Sequence, residues 1–218
     1  MAGHRSDRFN EVSRRGSVIA AICFTLFLFS LAVVLVLNCR WLYYLDIRFL
    51  KLEQASGLAA ADIRRNYDAL IDYNQFWHRA PLVFPTLAMS REGEIHFREV
   101  KRIFDLIQIL CILTGIASLL LWFPGQRRKD RRCLITAGIL SIAIPAVLGI
   151  LVIAGWEQFF VAFHTLVFRN DYWLFDPAAD PVITILPDTF FLQCAAGIVL
   201  LILAGGTLLL ISALRKRR

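Results

Sequence analysis

"SVIAAICFTLFLFSLAVVLVLNC", Ser17 to Cys39, runs for 23 residues without one charged side chain. As a helix it is longer than the roughly 20 apolar residues that cross a bilayer's hydrocarbon core. In lipid every backbone N–H and C=O must bond within its own segment, so a stretch of this kind reads as a membrane-spanning helix. Three more stretches follow the same rule: Leu106–Phe123, Leu134–Trp156 and Thr189–Leu214. Each is apolar and free of charged side chains. The whole chain is 58% hydrophobic and 19% charged, with a mean hydropathy of +0.61. An ordinary soluble domain carries about 25% charged residues.

The flanks of these spans orient them. The segment before Ser17 holds Arg5, Arg8, Arg14 and Arg15. The short stretch "PGQRRKDRRC", Pro124 to Cys133, has five basic residues, and the chain ends in "RKRR". By contrast, Glu157 to Asp188 has one Arg and five acids. Short basic loops stay in the cytoplasm, so both termini and the 124–133 loop are expected there. Segment 40–102 carries ten basic and eight acidic residues. It exceeds the roughly 60-residue limit beyond which loop charge has little weight. The first span is too long for a signal-peptide core and lacks a small-x-small cleavage site, so it reads as an uncleaved anchor. The net charge of +7 is spent on membrane flanks and anionic lipid heads, which excludes nucleic acid as the partner.

The expected fold is an all-α membrane protein: four transmembrane helices with a small outer-face cap. The boundaries read as a tail 1–16, a span 17–39, a cap 40–102, a span 103–123 and a loop 124–133. A span 134–156, an outer segment 157–188, a span 189–214 and a tail 215–218 complete the chain. Within the cap, Leu58, Ile63, Tyr67, Leu70 and Ile71 follow a helical period, predicting an amphipathic helix over 58–76. "APLVFPTLAMSREGEIHF", Ala80 to Phe97, suggests a short β-hairpin around "REGE". "PVITILPD", Pro181 to Asp188, suggests a further short strand.

The five cysteines have no CxxC spacing and read as small apolar filler. Cys39 and Cys194 both fall near the outer surface, where one bridge stays open as an alternative. His4 and His78 read as surface residues. His96, before the second span, and His164, after the third, reach the outer interface at one depth. No third ligand at metal-binding spacing accompanies them, and no HExxH occurs, so a metal site is not expected. No GxSxG elbow is present either. Histidine titrates near neutral pH, which suits the pair to proton transfer.

"FHTLVFRNDYWLFDPAADPVITILPDTFF", Phe163 to Phe191, resembles the bacterial lipoprotein intramolecular transacylases. The matching positions are Phe163-His164, Asn170-Asp171, Trp173, Asp176-Pro177, Asp180, Val182-Ile183, Pro187-Asp188 and Phe190-Phe191. A second signature, similar to HMxDVK, is His96-Phe97-Arg98-Glu99-Val100-Lys101, with Phe97 for Met and Glu99 for Asp. The resemblance implies an acyltransferase at the outer face of the bacterial cell membrane. It implies movement of the sn-2 acyl chain of a diacylglyceryl-modified N-terminal cysteine to that cysteine's α-amine, giving lyso-form lipoprotein. Partners are then lipoproteins and membrane lipids, and no cofactor is needed. His96 and His164 match the family's functional histidines: one takes a proton from the amine, the other donates to the glycerol oxygen. Arg169, Trp173 or a backbone N–H would steady the oxyanion, and Asp171 would orient an imidazole, with Lys101 in support. Two alternatives are a non-catalytic binder of lipoproteins or lipids, and an intermolecular N-acyltransferase using phospholipid.

Overall fold

A computed structural model describes residues 3–127 and 131–215 of the chain. Parts of the predicted basic loop (128–130) and of the two tails (1–2 and 216–218) lie outside the described residues. The described residues form eight α-helices and no strand: α1 Gly3–Asn38, α2 Arg40–Phe49, α3 Leu52–Ser56, α4 Ala60–Tyr73, α5 Arg91–Arg127, α6 Arg132–Ala154, α7 Trp156–Val167 and α8 Asp188–Leu214. Four of them, α1, α5, α6 and α8, are long and apolar enough to cross a membrane.

The chain divides into two compact units. One holds the stretches up to Val33, Ile109–Ile150 and from Ile198 on. Its helices pack through small side chains, because in lipid close backbone approach, not burial from water, holds helices together. Gly138 of α6 meets Gly206 and Leu210 of α8 so closely that a Cβ on Gly138 would lie 2.9 Å from the Gly206 carbonyl oxygen. Arg131 donates to the carbonyls of Ala213 (3.0 Å) and Arg215 (2.6 Å), satisfying acceptors that the end of α8 leaves open.

The second unit, Val34–Gln108 with Leu151–Gly197, contains the cap and the motif segment. Its core mixes aliphatic side chains with a cluster of aromatic rings. The rings of Tyr43 and Tyr67 stack at 3.7 Å, both stand edge-on to Phe190, and the Tyr43 hydroxyl donates to the Ile185 carbonyl at 2.7 Å. The amphipathic cap helix is α4, and it buries Ile63, Tyr67, Leu70 and Ile71 on one stripe. Arg40 ties α2 to α4 through ion pairs to Asp68, at 2.7 Å, and to Asp72.

The expected hairpin and third strand do not form. The alternation that suggested a strand is present: Leu82 and Phe84 are 6% and 7% exposed, with Val83 at 71%. No second strand pairs with it. Pro81 and Pro85 remove ladder donors, and the Thr86 N–H is taken at 3.2 Å by the side chain of Asn66 on α4. "REGE" is the first turn of α5, with Ser90 as its N-cap. Its hydroxyl accepts from the Gly93 N–H at 2.9 Å, three residues on. "PVIT" forms a 3-10 turn, Pro181–Thr184, with Pro at its start. Val182, Ile185 and Leu186 are buried at i, i+3, i+4 spacing, a helical pattern that a short apolar run does not separate from a strand. Cys39 and Cys194, the pair left open as a bridge, form no disulfide.

Candidate functional site

α5 and α7 bring the two histidines together. His164 lies in the last turn of α7, a helix set off from α6 by Gly155 in extended backbone. Its ring sits among aromatics: Phe160 at 4.1 Å, Trp173 at 4.7 Å and Phe168 at 5.6 Å between centroids. His96, on α5, is 6% exposed and lies against Phe168 (4.8 Å) and Phe175 (5.4 Å). The two imidazoles face one another at 6.3 Å with 28° between planes.

The backbone fixes the tautomer of His164. Its Nδ1 stands 2.7 Å from the Phe160 carbonyl, one turn back on α7. A carbonyl oxygen only accepts, so Nδ1 carries the proton and Nε2 of the neutral ring keeps its lone pair. Burial pushes the His164 pKa below the ordinary histidine value, partly opposed by the bond to Phe160. The result is a ring that stays neutral to lower pH than an ordinary histidine.

Two further polar atoms in the cluster are buried and find no hydrogen-bond partner among the described residues: Nδ1 of His96 and Nε1 of Trp173. Buried donors and acceptors are costly when left unmade, and native folds rarely keep them without a use. An indole N–H only donates, so Trp173 offers an N–H beside His164.

The remaining sequence candidates fall in different places. Arg169 and Asp171 are exposed, and among the described residues neither makes an ion pair. Asp171 was expected to orient an imidazole; beside His164 Nδ1 stands the Phe160 carbonyl oxygen. Lys101 stands apart from the histidines. Its ammonium donates to the Gln75 carbonyl (2.9 Å) and to Asp105 (3.0 Å) and lies 5.3 Å from the Tyr73 ring centre. One pairing went unread in the sequence. The Asn170 amide donates to both oxygens of Glu99, at 3.1 and 3.2 Å, one turn beyond His96. Both residues are in the quoted motifs, but nothing in their spacing shows that they meet.

No group of three or more His, Cys, Asp or Glu stands ready for a metal among the described residues. The family model for the lipoprotein intramolecular transacylase Lit matches residues 18–191. This chain belongs to that family. A solved structure of the membrane integral lipoprotein intramolecular transacylase Lit from Bacillus cereus is similar at 35% identity and a TM-score of 0.91. The match covers 93% of this chain and 94% of that one. A second structure of the Bacillus cereus protein, with a histidine-to-arginine mutation, is 33% identical with a TM-score of 0.89, covering 98% of this chain and 95% of that one. A comparison with curated protein sequences finds no match. Family membership makes the chain an acyltransferase of the membrane.

Proposed function

We propose that the chain performs O-to-N acyl transfer within one lipoprotein molecule. The sn-2 acyl chain of the diacylglyceryl-modified cysteine passes to that cysteine's own α-amine. Donor and acceptor share a molecule, so much of the entropy of bringing them together is already spent in the substrate. The observation that carries the reading is the Nδ1–H bond of His164 to Phe160, which leaves Nε2 as a base beside His96 and Trp173.

The amine nitrogen attacks the sn-2 ester carbonyl carbon. His164 Nε2 takes the proton that the nitrogen sheds. The carbonyl oxygen becomes an oxyanion, and the Trp173 N–H is the donor placed to steady it. Collapse breaks the carbon–oxygen bond to glycerol; His96 delivers a proton to that oxygen as it regains the one His164 took from the amine, so both imidazoles end neutral, as they began. The products are an amide on the cysteine nitrogen and a free sn-2 hydroxyl. No atom enters or leaves, and no cofactor takes part.

The reaction takes place at the extracytoplasmic face of the bacterial cell membrane. The basic flanks of the spans support this placement, since the motif segment carries one Arg against five acids. Mass spectrometry of a lipoprotein's N-terminal peptide tests the reaction. Intramolecular transfer leaves the mass unchanged and moves one acyl group from oxygen to nitrogen. A gain of one acyl chain would mean intermolecular acylation, and an unaltered peptide would mean binding without chemistry.

A further inference from the structure

Asp180 is 4% exposed, lies sixteen residues after His164, and among the described residues its carboxylate is hydrogen-bonded to Ser90 and to neither histidine. Its carboxylate instead grips the start of α5, the helix that carries His96. One oxygen accepts from the Ser90 backbone N–H at 2.8 Å, and the other from the Ser90 hydroxyl at 2.6 Å. That same hydroxyl accepts from the Gly93 N–H at 2.9 Å. The carboxylate thus sits at the N-terminal end of a long helix, where negative charge is favoured. It is held on its own side too: the Asp180 N–H donates to the Asp176 carbonyl at 2.7 Å, and its carbonyl accepts from Ile183 at 3.2 Å.

Gly93 is the second half of the arrangement. A Cβ there would lie 2.3 Å from Asp180 Oδ1 and 3.0 Å from its Cγ. The carboxylate is short, buried and held by two bonds, so it cannot step aside without releasing Ser90. Only a residue without a side chain lets the acid approach the helix this closely.

We propose that Asp180 is a positioning residue for the histidine pair, clasping the first turn of α5 so that His96 keeps its register against the segment following His164. The contacts of His96 with Phe168 and Phe175 are ring contacts, which tolerate sliding. Directional bonds do not. The clasp at Ser90 and Gly93 lies before His96, and the Asn170–Glu99 bond lies one turn after it. Together they bracket the histidine along its helix.

The inference rests on the transacylase reading, so its test has one arm that needs no catalysis. Amide hydrogen exchange on the purified, detergent-solubilised protein reads the clasp directly. Asp180→Ala should speed exchange at Gly93 and Glu94 and leave the interior of α4 unchanged. Unchanged exchange at Gly93 would overturn the clasp, whatever the enzyme does. The second arm measures conversion of a diacylglyceryl lipopeptide with a free N-terminus. A wild-type protein that converts nothing would sink the reaction while leaving the exchange result standing.

With active wild type, Asp180→Ala should lower kcat on the order of 100-fold, the scale of a small misplacement of reacting groups. KM should hold, and so should the amount of folded protein. Asp180→Asn, which keeps an acceptor for the Ser90 N–H, should recover part of the loss. Gly93→Ala should be as damaging as Asp180→Ala alone and add little in the Asp180→Ala background, because the atom it strikes is gone. The acid limb of kcat/KM should also move up towards the ordinary histidine range as the loosened rings meet water. Fewer folded molecules would change only the height of that profile. Independent, multiplying losses at Gly93 and Asp180, with an unmoved profile, would reduce the clasp to ordinary packing.

Discussion

The rings of His96 and His164 stand 6.3 Å apart, and among the described residues no hydrogen bond joins them. That spacing suits two groups that serve different atoms of one substrate. In the tetrahedral intermediate the attacking nitrogen and the departing glycerol oxygen are bonded to the same carbon. Each needs its own imidazole at a hydrogen-bond distance of about 2.7–3.2 Å. On the proposed mechanism, two such imidazoles would stand a few ångströms apart, on either side of the reacting carbon. If they act as one unit, their losses will not multiply. His96→Gln and His164→Gln should each lower kcat on the order of 100-fold to 10,000-fold, with the double variant near the worse single. Fully multiplicative losses in single-turnover assays would show two unconnected roles.

Trp173 presents a ring and a donor, and the two can be separated. Trp173→Phe keeps an aromatic face beside His164 and removes the buried N–H. Loss of an oxyanion donor costs about 100-fold or more in kcat. The exposed Arg169 is a weaker candidate, so Arg169→Ala should cost less than Trp173→Phe when both are assayed on the same lipopeptide. The opposite order would move the oxyanion role to the guanidinium.

Much of this architecture was legible before any coordinates. The four spans stand out because lipid permits few alternatives for an uncharged run such as Ser17–Cys39. The two histidines stand out because the span ends bring them to one depth. What the chain concealed depends on contacts far apart in sequence. Leu82-Val83-Phe84 alternates like a strand, yet Thr86, two residues on, bonds to Asn66, a side chain on a helix. Asp180 and Ser90 are ninety residues apart, and neither position hints at the other. The Phe160 carbonyl is invisible in sequence because it orients His164 only if 156–167 is helical, and the outer segment 157–188 reads, in sequence, without a helix in it.

Lys101 belongs to the motif before the second span, but its bonds assign it to the scaffold. It fastens α5 to the end of α4 through Gln75 and lies beside Tyr73. Lys101→Met keeps the stem and removes the charge, so Asp105 loses its ammonium partner and the Gln75 carbonyl keeps only the His78 N–H, at 2.9 Å. Thermal unfolding should shift down, by about 1–3 kcal/mol of stability, while KM for lipopeptide holds. A raised KM at unchanged stability would instead make Lys101 a substrate contact.

The outer placement of the site is open to a labelling test. In a cysteine-free background, Ala178→Cys should react with an impermeant thiol reagent in intact cells, and Gly125→Cys only after lysis. The reverse pattern would place the histidine pair on the cytoplasmic side, where no basic-residue argument puts it.

The pH dependence follows from two protons. The substrate α-amine titrates at about 7.7–8.0, so below that range the attacking free amine falls tenfold per pH unit and log kcat/KM should rise with unit slope. His164 must also be neutral to accept a proton. Burial, the larger influence, lowers its pKa, and the Phe160 carbonyl bond offsets only part of that. The sign is therefore downward: protonation of the base sets in below the ordinary value of about 6.5, and only there should the slope steepen to two. His164→Gln cannot take the proton, so its residual activity should show the amine limb alone, without the second break. His78→Ala, which changes a residue of the cap away from the pair, should reproduce the wild-type profile. A wild-type second break at or above the ordinary histidine value, or its persistence in His164→Gln, would remove His164 from the role of base and leave His96 to hold it.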